Sequence, residues 1–151
     1  MTIRPNLSRL LPPFCLLAVL CLVAAACGLK SWPKPNAKED RFEWQSVDFA
    51  RKGGCLDISA RLKGAAKNLD RVLLQLQPED SGCSGCPFSP DILLEFGPGS
   101  QEFTQSDREV HLTTCALAPN KAYRFRLAGA NLYTALGLSM SGVQTSPPST
   151  P

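Results

Sequence analysis

LAPNKAYRFRLAGAN, residues 117–131, decides the fold. Within it Tyr123, Phe125 and Leu127 alternate with Arg124 and Arg126. A period of two with one apolar face predicts a β-strand that lies on a core and turns its arginines outward. The residues before the strand predict a bend. Pro119 pre-sets the backbone there, and a tyrosine just after it can fill core space with its ring while its hydroxyl satisfies a backbone group of the bend. Nothing about these three aromatic and aliphatic positions asks for a ligand, and they read as core.

Working outward, the same short alternating runs recur, separated by turn formers. Phe42, Trp44, Val47 and Phe49 give a first strand, and Leu56, Ile58, Ala60 and Leu62 a second, with Arg51-Lys52-Gly53-Gly54 as the turn between them. Residues 63–68 (KGAAKN) turn the chain again before Val72, Leu74 and Leu76, a strand closed by Pro78. DILLEF (91–96) predicts a fourth strand closed by Gly97-Pro98-Gly99, Val110–Thr113 a fifth, Tyr123–Leu127 the sixth and Leu138–Thr145 the last. Seven strands spaced about ten residues apart, without a long amphipathic helix, predict an all-β sandwich. The PPSTP tail (147–151) is expected to be disordered, neither pairing nor packing.

Leu117, Pro119, Tyr123, Phe125 and Leu127, followed by Gly129, Asn131, Gly137 and Ser141, resemble the last third of fibronectin type III domains. The resemblance covers roughly residues 110–146 and implies an immunoglobulin-like sandwich. It also implies a tyrosine corner, in which the Tyr123 hydroxyl returns to the preceding loop. The tryptophan usual on the second strand of that family is missing; Ile58 or Ala60 occupies its place, and Trp44 is expected to cover one end of the core. By the same resemblance Asn131 to Gly137 form the connection between the last two strands. Asn131, Leu132, Tyr133 and Leu136 give that connection more apolar surface than a turn requires, and are candidates for contact with a partner.

The N-terminus reads as a processing signal. Arg4 and Arg9 precede an uncharged apolar run, FCLLAVLCLVAAA (14–26), which ends in small residues before Cys27. The uncharged stretch is shorter than the roughly 20 residues of a permanent span. VAAAC (23–27) resembles the lipobox of bacterial lipoproteins, with Ala24 where a bulkier leucine is more usual. The resemblance implies cleavage before Cys27, diacylglycerol on its thiol and acylation of the new amino group; the alternative is ordinary secretion, with Cys27 a spare thiol. Gly28 rather than aspartate after the cysteine implies, by the same likeness, the outer membrane. Residues 1–26 are thus a signal peptide, 27–41 a lipidated tether containing Pro33 and Pro35, 42–146 the domain and 147–151 a tail. Loss of the leader leaves fourteen basic side chains against thirteen acids, too balanced to attract nucleic acid.

Cys55, Cys83, Cys86 and Cys115 remain in the domain. An even number in an exported chain predicts disulfides, and in the resembled fold all four stand at one pole. Two kinds of pairing are open. Either Cys55 and Cys115 each bond to one of Cys83 and Cys86, or Cys83 bonds to Cys86 and Cys55 to Cys115. A four-thiolate zinc site is the competing chemistry, and a redox-active Cys83-x-x-Cys86 pair a third. Otherwise the chain shows no catalytic motif. His111 is its only histidine, the acids are scattered, and neither a nucleophile elbow nor a phosphate loop occurs. The expectation is a non-catalytic, lipid-anchored envelope protein that binds another envelope protein through a sheet edge or loop, without cofactor, metal or small-molecule substrate. A thiol–disulfide helper and a structural zinc module are the alternatives.

Overall fold

The computed structural model describes residues 34–81 and 85–149. The leader, Cys27, most of the tether and Cys83 lie outside them. The compact body begins at Pro35. Its elements are β1 (Phe42–Lys52), β2 (Cys55–Gly64), β3 (Leu69–Pro78), β4 (Ile92–Phe96), β5 (Phe103–Ser106), β6 (Glu109–Thr114), β7 (Tyr123–Asn131), β8 (Leu138–Met140) and β9 (Gln144–Ser146). Three single 3-10 turns, at Ala66–Asn68, Glu79–Ser81 and Thr134–Leu136, are the only helical elements among the described residues.

The strands form two antiparallel sheets. One has the order β1-β2-β6-β5, the other β4-β3-β7-β8, with β9 also pairing with β7. The alternating runs supply the core. Leu56, Ile58, Ala60 and Leu62 of β2 and Val110 and Leu112 of β6 meet Val72, Leu74 and Leu76 of β3 and Tyr123, Phe125 and Leu127 of β7 in one apolar cluster. Fully burying each such side chain contributes about 1.5–3 kcal/mol, so this layer between the sheets supplies the main attraction holding them together. Phe49 stands edge-on to Phe125 at 5.1 Å. Trp44 covers one end of the cluster as expected, edge-on to Phe42, and its indole N–H donates to the Ser139 carbonyl at 2.8 Å.

Nine strands stand where seven were expected, for two reasons. Phe103–Ser106 lies among turn formers and is only four residues long, yet Phe103 is buried and the strand pairs with β6 from Phe103↔Leu112 to Ser106↔Glu109. The last strand is broken. Ala128–Ala130 pair with β8 and Tyr123–Phe125 with β9, and at the break the Ser141 hydroxyl accepts the Leu127 N–H at 2.9 Å. In β1 the apolar positions shift from even (Phe42, Trp44) to odd (Val47, Phe49), because the register with β2 slips between Trp44 and Ser46. A bulge there restores the inward face after one extra residue.

The 147–151 tail, expected to pack against nothing, is held through Ser149. Pro147 accepts from Arg51 at 2.9 Å, the Ser149 hydroxyl accepts the Gly53 N–H at 2.8 Å, and the Ser149 N–H donates to the Pro119 carbonyl at 2.9 Å. Prolines lack an N–H, but their carbonyls and the neighbouring serine supply the bonds instead.

Gly129 faces the core, where a Cβ would stand 2.7 Å from the Phe42 ring. Gly129→Ala is therefore expected to cost about 1–3 kcal/mol through overpacking. Urea unfolding checks this: the midpoint should fall with an unchanged slope.

Candidate functional site

At one pole the turns β1–β2 and β6–β7 meet the C-terminal segment. Tyr123 is buried and its hydroxyl accepts the Ala118 N–H at 3.2 Å, the bond expected from the sequence. Above its ring, 5.3 Å from the centroid, lies the Arg51 guanidinium. Arg51 donates to the carbonyls of Ala118 at 2.6 Å, Lys121 at 2.8 Å and Pro147 at 2.9 Å, and more loosely to Gly53 and the Ser146 hydroxyl at 3.4 Å each. Sequence reasoning placed Arg51 in a turn; the arginine's fork of donors serves carbonyls that only the tertiary fold brings together.

The same pole carries the disulfide Cys55–Cys115, which closes a separation of 60 residues. The register explains it: Leu56 pairs with Thr114, so Cys55 and Cys115 are the next residues opposite one another on β2 and β6. Of the two kinds of pairing left open, this excludes the one that sends Cys55 and Cys115 to the Cys83/Cys86 loop. It also leaves these two sulfurs no thiolate to give a four-cysteine zinc site. Cys86 is disulfide-bonded as well; Cys83 lies outside the described residues. Among the described residues no three histidine, cysteine or acidic side chains gather as a metal would need.

The loop bearing Cys86 folds over the outer face of the β4-β3-β7 sheet. Phe88 stacks on Arg126 at 4.9 Å and Arg124 at 5.7 Å, and Arg124 donates to the Cys86 carbonyl at 3.2 Å. Beneath them, the side-chain oxygens of the buried Gln75 and Gln77 accept from Arg126 at 2.6 Å and from the Ser89 N–H at 3.3 Å. The loop is thus seated by cation–π and amide contacts on outward-facing positions of β3 and β7, on the sheet that does not carry Cys55 and Cys115.

Beyond the loop, that face is mainly apolar. In register across it run Met140, Ala128, Leu73 and Glu95, and beside them Leu138, Ala130 and Arg71. Opposed residues of an antiparallel pair project to the same side, and since Gly129 faces Phe42, this side is the outer one. Ala128 and Ala130 are buried at the floor, while Leu138 is 47% and Met140 44% exposed on one wall. The remaining large exposed apolar side chains among the described residues are Leu93, Leu132, Tyr133 and Val143, so five of the six fall between 132 and 143.

Of the residues proposed for partner contact, Leu132 and Tyr133 are exposed and Leu136 half-buried. Asn131 differs. It ends β7 buried, its amide donates to the Asp40 carbonyl at 2.8 Å, and its side-chain oxygen accepts the Tyr133 N–H at 2.8 Å. A buried amide bonded this way positions backbone. Sequence reasoning missed Leu138 and Met140, whose alternation read as ordinary strand; which of its two faces stays uncovered depends on packing.

The outer face of the other sheet is polar. Asp48, Ser59, His111 and Thr104 form one row, and the Ser59 hydroxyl meets His111 Nδ1 at 2.9 Å. Beside it Arg61 bonds Glu109 at 2.6 Å; this hydrogen bond, then the charge, holds the Glu109 carboxyl below its ordinary range. Ser59 and His111 are both exposed on a flat strand surface.

No protein family, curated protein or solved structure matches the chain.

Three stability effects follow from the pole. Tyr123→Phe should cost about 1 kcal/mol, the net worth of one hydrogen bond, and Arg51→Leu about 2–3 kcal/mol, because several carbonyls lose a charged donor; denaturant melts read both. Replacing Cys55 and Cys115 together by serine should lower stability by about 2–4 kcal/mol, while in the unreduced parent protein neither residue should take up an alkylating reagent.

Proposed function

We propose that the chain is a non-catalytic lipoprotein of the bacterial cell envelope, anchored by lipid on Cys27, whose immunoglobulin-like sandwich binds another envelope protein. The single observation that carries the binding role is the apolar surface of Leu73, Leu138 and Met140 beside the buried Ala128 and Ala130. A sheet face left apolar beside a half that the protein's own loop covers is a surface with a place for something else. Its rim, Arg71 and Glu95, joined at 3.4 Å, supplies both signs of charge for orientation. Kinship with fibronectin type III domains is supported by the Tyr123 hydroxyl bond and by a tyrosine strand central in its sheet, and the envelope location by the lipobox-like VAAAC.

The partner contact belongs to the face rather than to the strand edge beside it. β8 is three residues long, and its Ser139 carbonyl is already taken by Trp44, so an added strand would find little to pair with.

A photo-crosslinking phenylalanine analogue at position 138 tests this. In living cells it is expected to give a discrete adduct that is absent when the analogue stands at position 111, on the polar face. Equal adducts from both positions, or none from either, would remove the binding role. Mass measurement of the mature protein tests the anchor separately: the expected N-terminus is Cys27 bearing diacylglycerol.

A further inference from the structure

The chain enters the domain at the pole opposite the disulfide, through a compact knot. The Asp40 carbonyl accepts side-chain amide bonds from Asn68 at 3.0 Å and Asn131 at 2.8 Å. On this knot stands the β7–β8 connection. The Leu132 N–H donates to the Asn68 carbonyl at 2.8 Å, the Tyr133 N–H to Asn131 Oδ1 at 2.8 Å, and the Leu136 N–H to the Tyr133 carbonyl at 2.9 Å. Leu132 is nevertheless 58% and Tyr133 38% exposed. Two large apolar side chains are therefore held outward by a well-bonded backbone, which reduces the ordering cost of any contact they make.

We propose that Leu132 and Tyr133 seat this pole in the interfacial layer of the membrane. The inference rests on the reading of Cys27 as lipidated. Pro35 is the eighth residue after Cys27, and in any conformation eight residue steps span at most about 28 Å. The entry pole is thus the part of the domain confined near the lipid surface. Exposed Lys38, Lys67 and Arg108 stand at this pole, offset in part by Glu39 and Asp107, and cations near a surface favour anionic headgroups. A leucine supplies apolar insertion, and a tyrosine combines an apolar ring with a hydroxyl that stays wet. The other pole lacks such a feature: none of the large exposed apolar side chains among the described residues falls within 51–55 or 115–122.

The test uses the full chain, processed in bacteria and reconstituted into vesicles of phosphatidylethanolamine and phosphatidylglycerol, with Tyr133→Trp as reporter. The emission added over the parent protein's own tryptophans is expected to shift to the blue and to fall at least twofold when the acyl chains are brominated. Leu132→Asp in the same background should abolish the quenching. As a check independent of the reporter, amide exchange over 132–137 in the unsubstituted protein should slow at least tenfold in vesicles relative to the delipidated chain. Lipid on Cys27 with an unquenched reporter and unchanged exchange would overturn the contact and leave the anchor standing. Absence of lipid on Cys27 by mass would overturn the anchor, and the contact with it.

Discussion

One guanidinium organises the half of the molecule farthest from the chain's entry. Arg51 belongs to β1, in one sheet, while Ala118, Lys121 and Pro147 belong to connections that lead into and out of the other. Two sheets that touch only through apolar side chains are free to slide, because dispersion and hydrophobic burial are non-directional. A charged fork bonded to three carbonyls is directional and fixes how the sheets sit. Its neighbour Tyr123 works from below, with the ring in the core and the hydroxyl tied to Ala118. The disulfide acts on one sheet only, locking β2 to β6.

How much of this the residues announced in advance varies with the range of the interaction. The strands with clean alternation, β2, β3 and β7, were legible because burial of one face requires that pattern. The Tyr123 bond was legible because a tyrosine shortly after a proline bend has few other ways to satisfy its hydroxyl. β5 was not: it is held by β6 and by Gln105, whose amide donates to the Ala66 carbonyl at 3.0 Å, a contact between segments 39 residues apart. Asn131 reads as a candidate for partner contact, and its bond to the Asp40 carbonyl was not legible because Asp40 is 91 residues away. The cysteine pairing was open for the same reason: which thiols meet depends on the β2–β6 register.

The two outer faces divide the chemistry. Across β1, β2 and β6, serine, threonine, histidine and paired charges bond one another, leaving a surface content with water. Across β3, β7 and β8, the half near the pole of Arg51 is closed by Phe88 stacked on arginines, and the other half ends in leucine, methionine and alanine. The wall of the open half stands next to the connection that carries Leu132 and Tyr133. A domain oriented by one of these features would present the other in a fixed direction.

The interruption between β8 and β9 has a further consequence. A sheet border presents unpaired backbone groups and is a template for other chains. Here the border is cut into two runs of three residues, with the Ser141 hydroxyl replacing the missing ladder bond and the Trp44 indole occupying one of the carbonyls. Neither run offers another chain more than a few ladder bonds, so this border is blunted as a template.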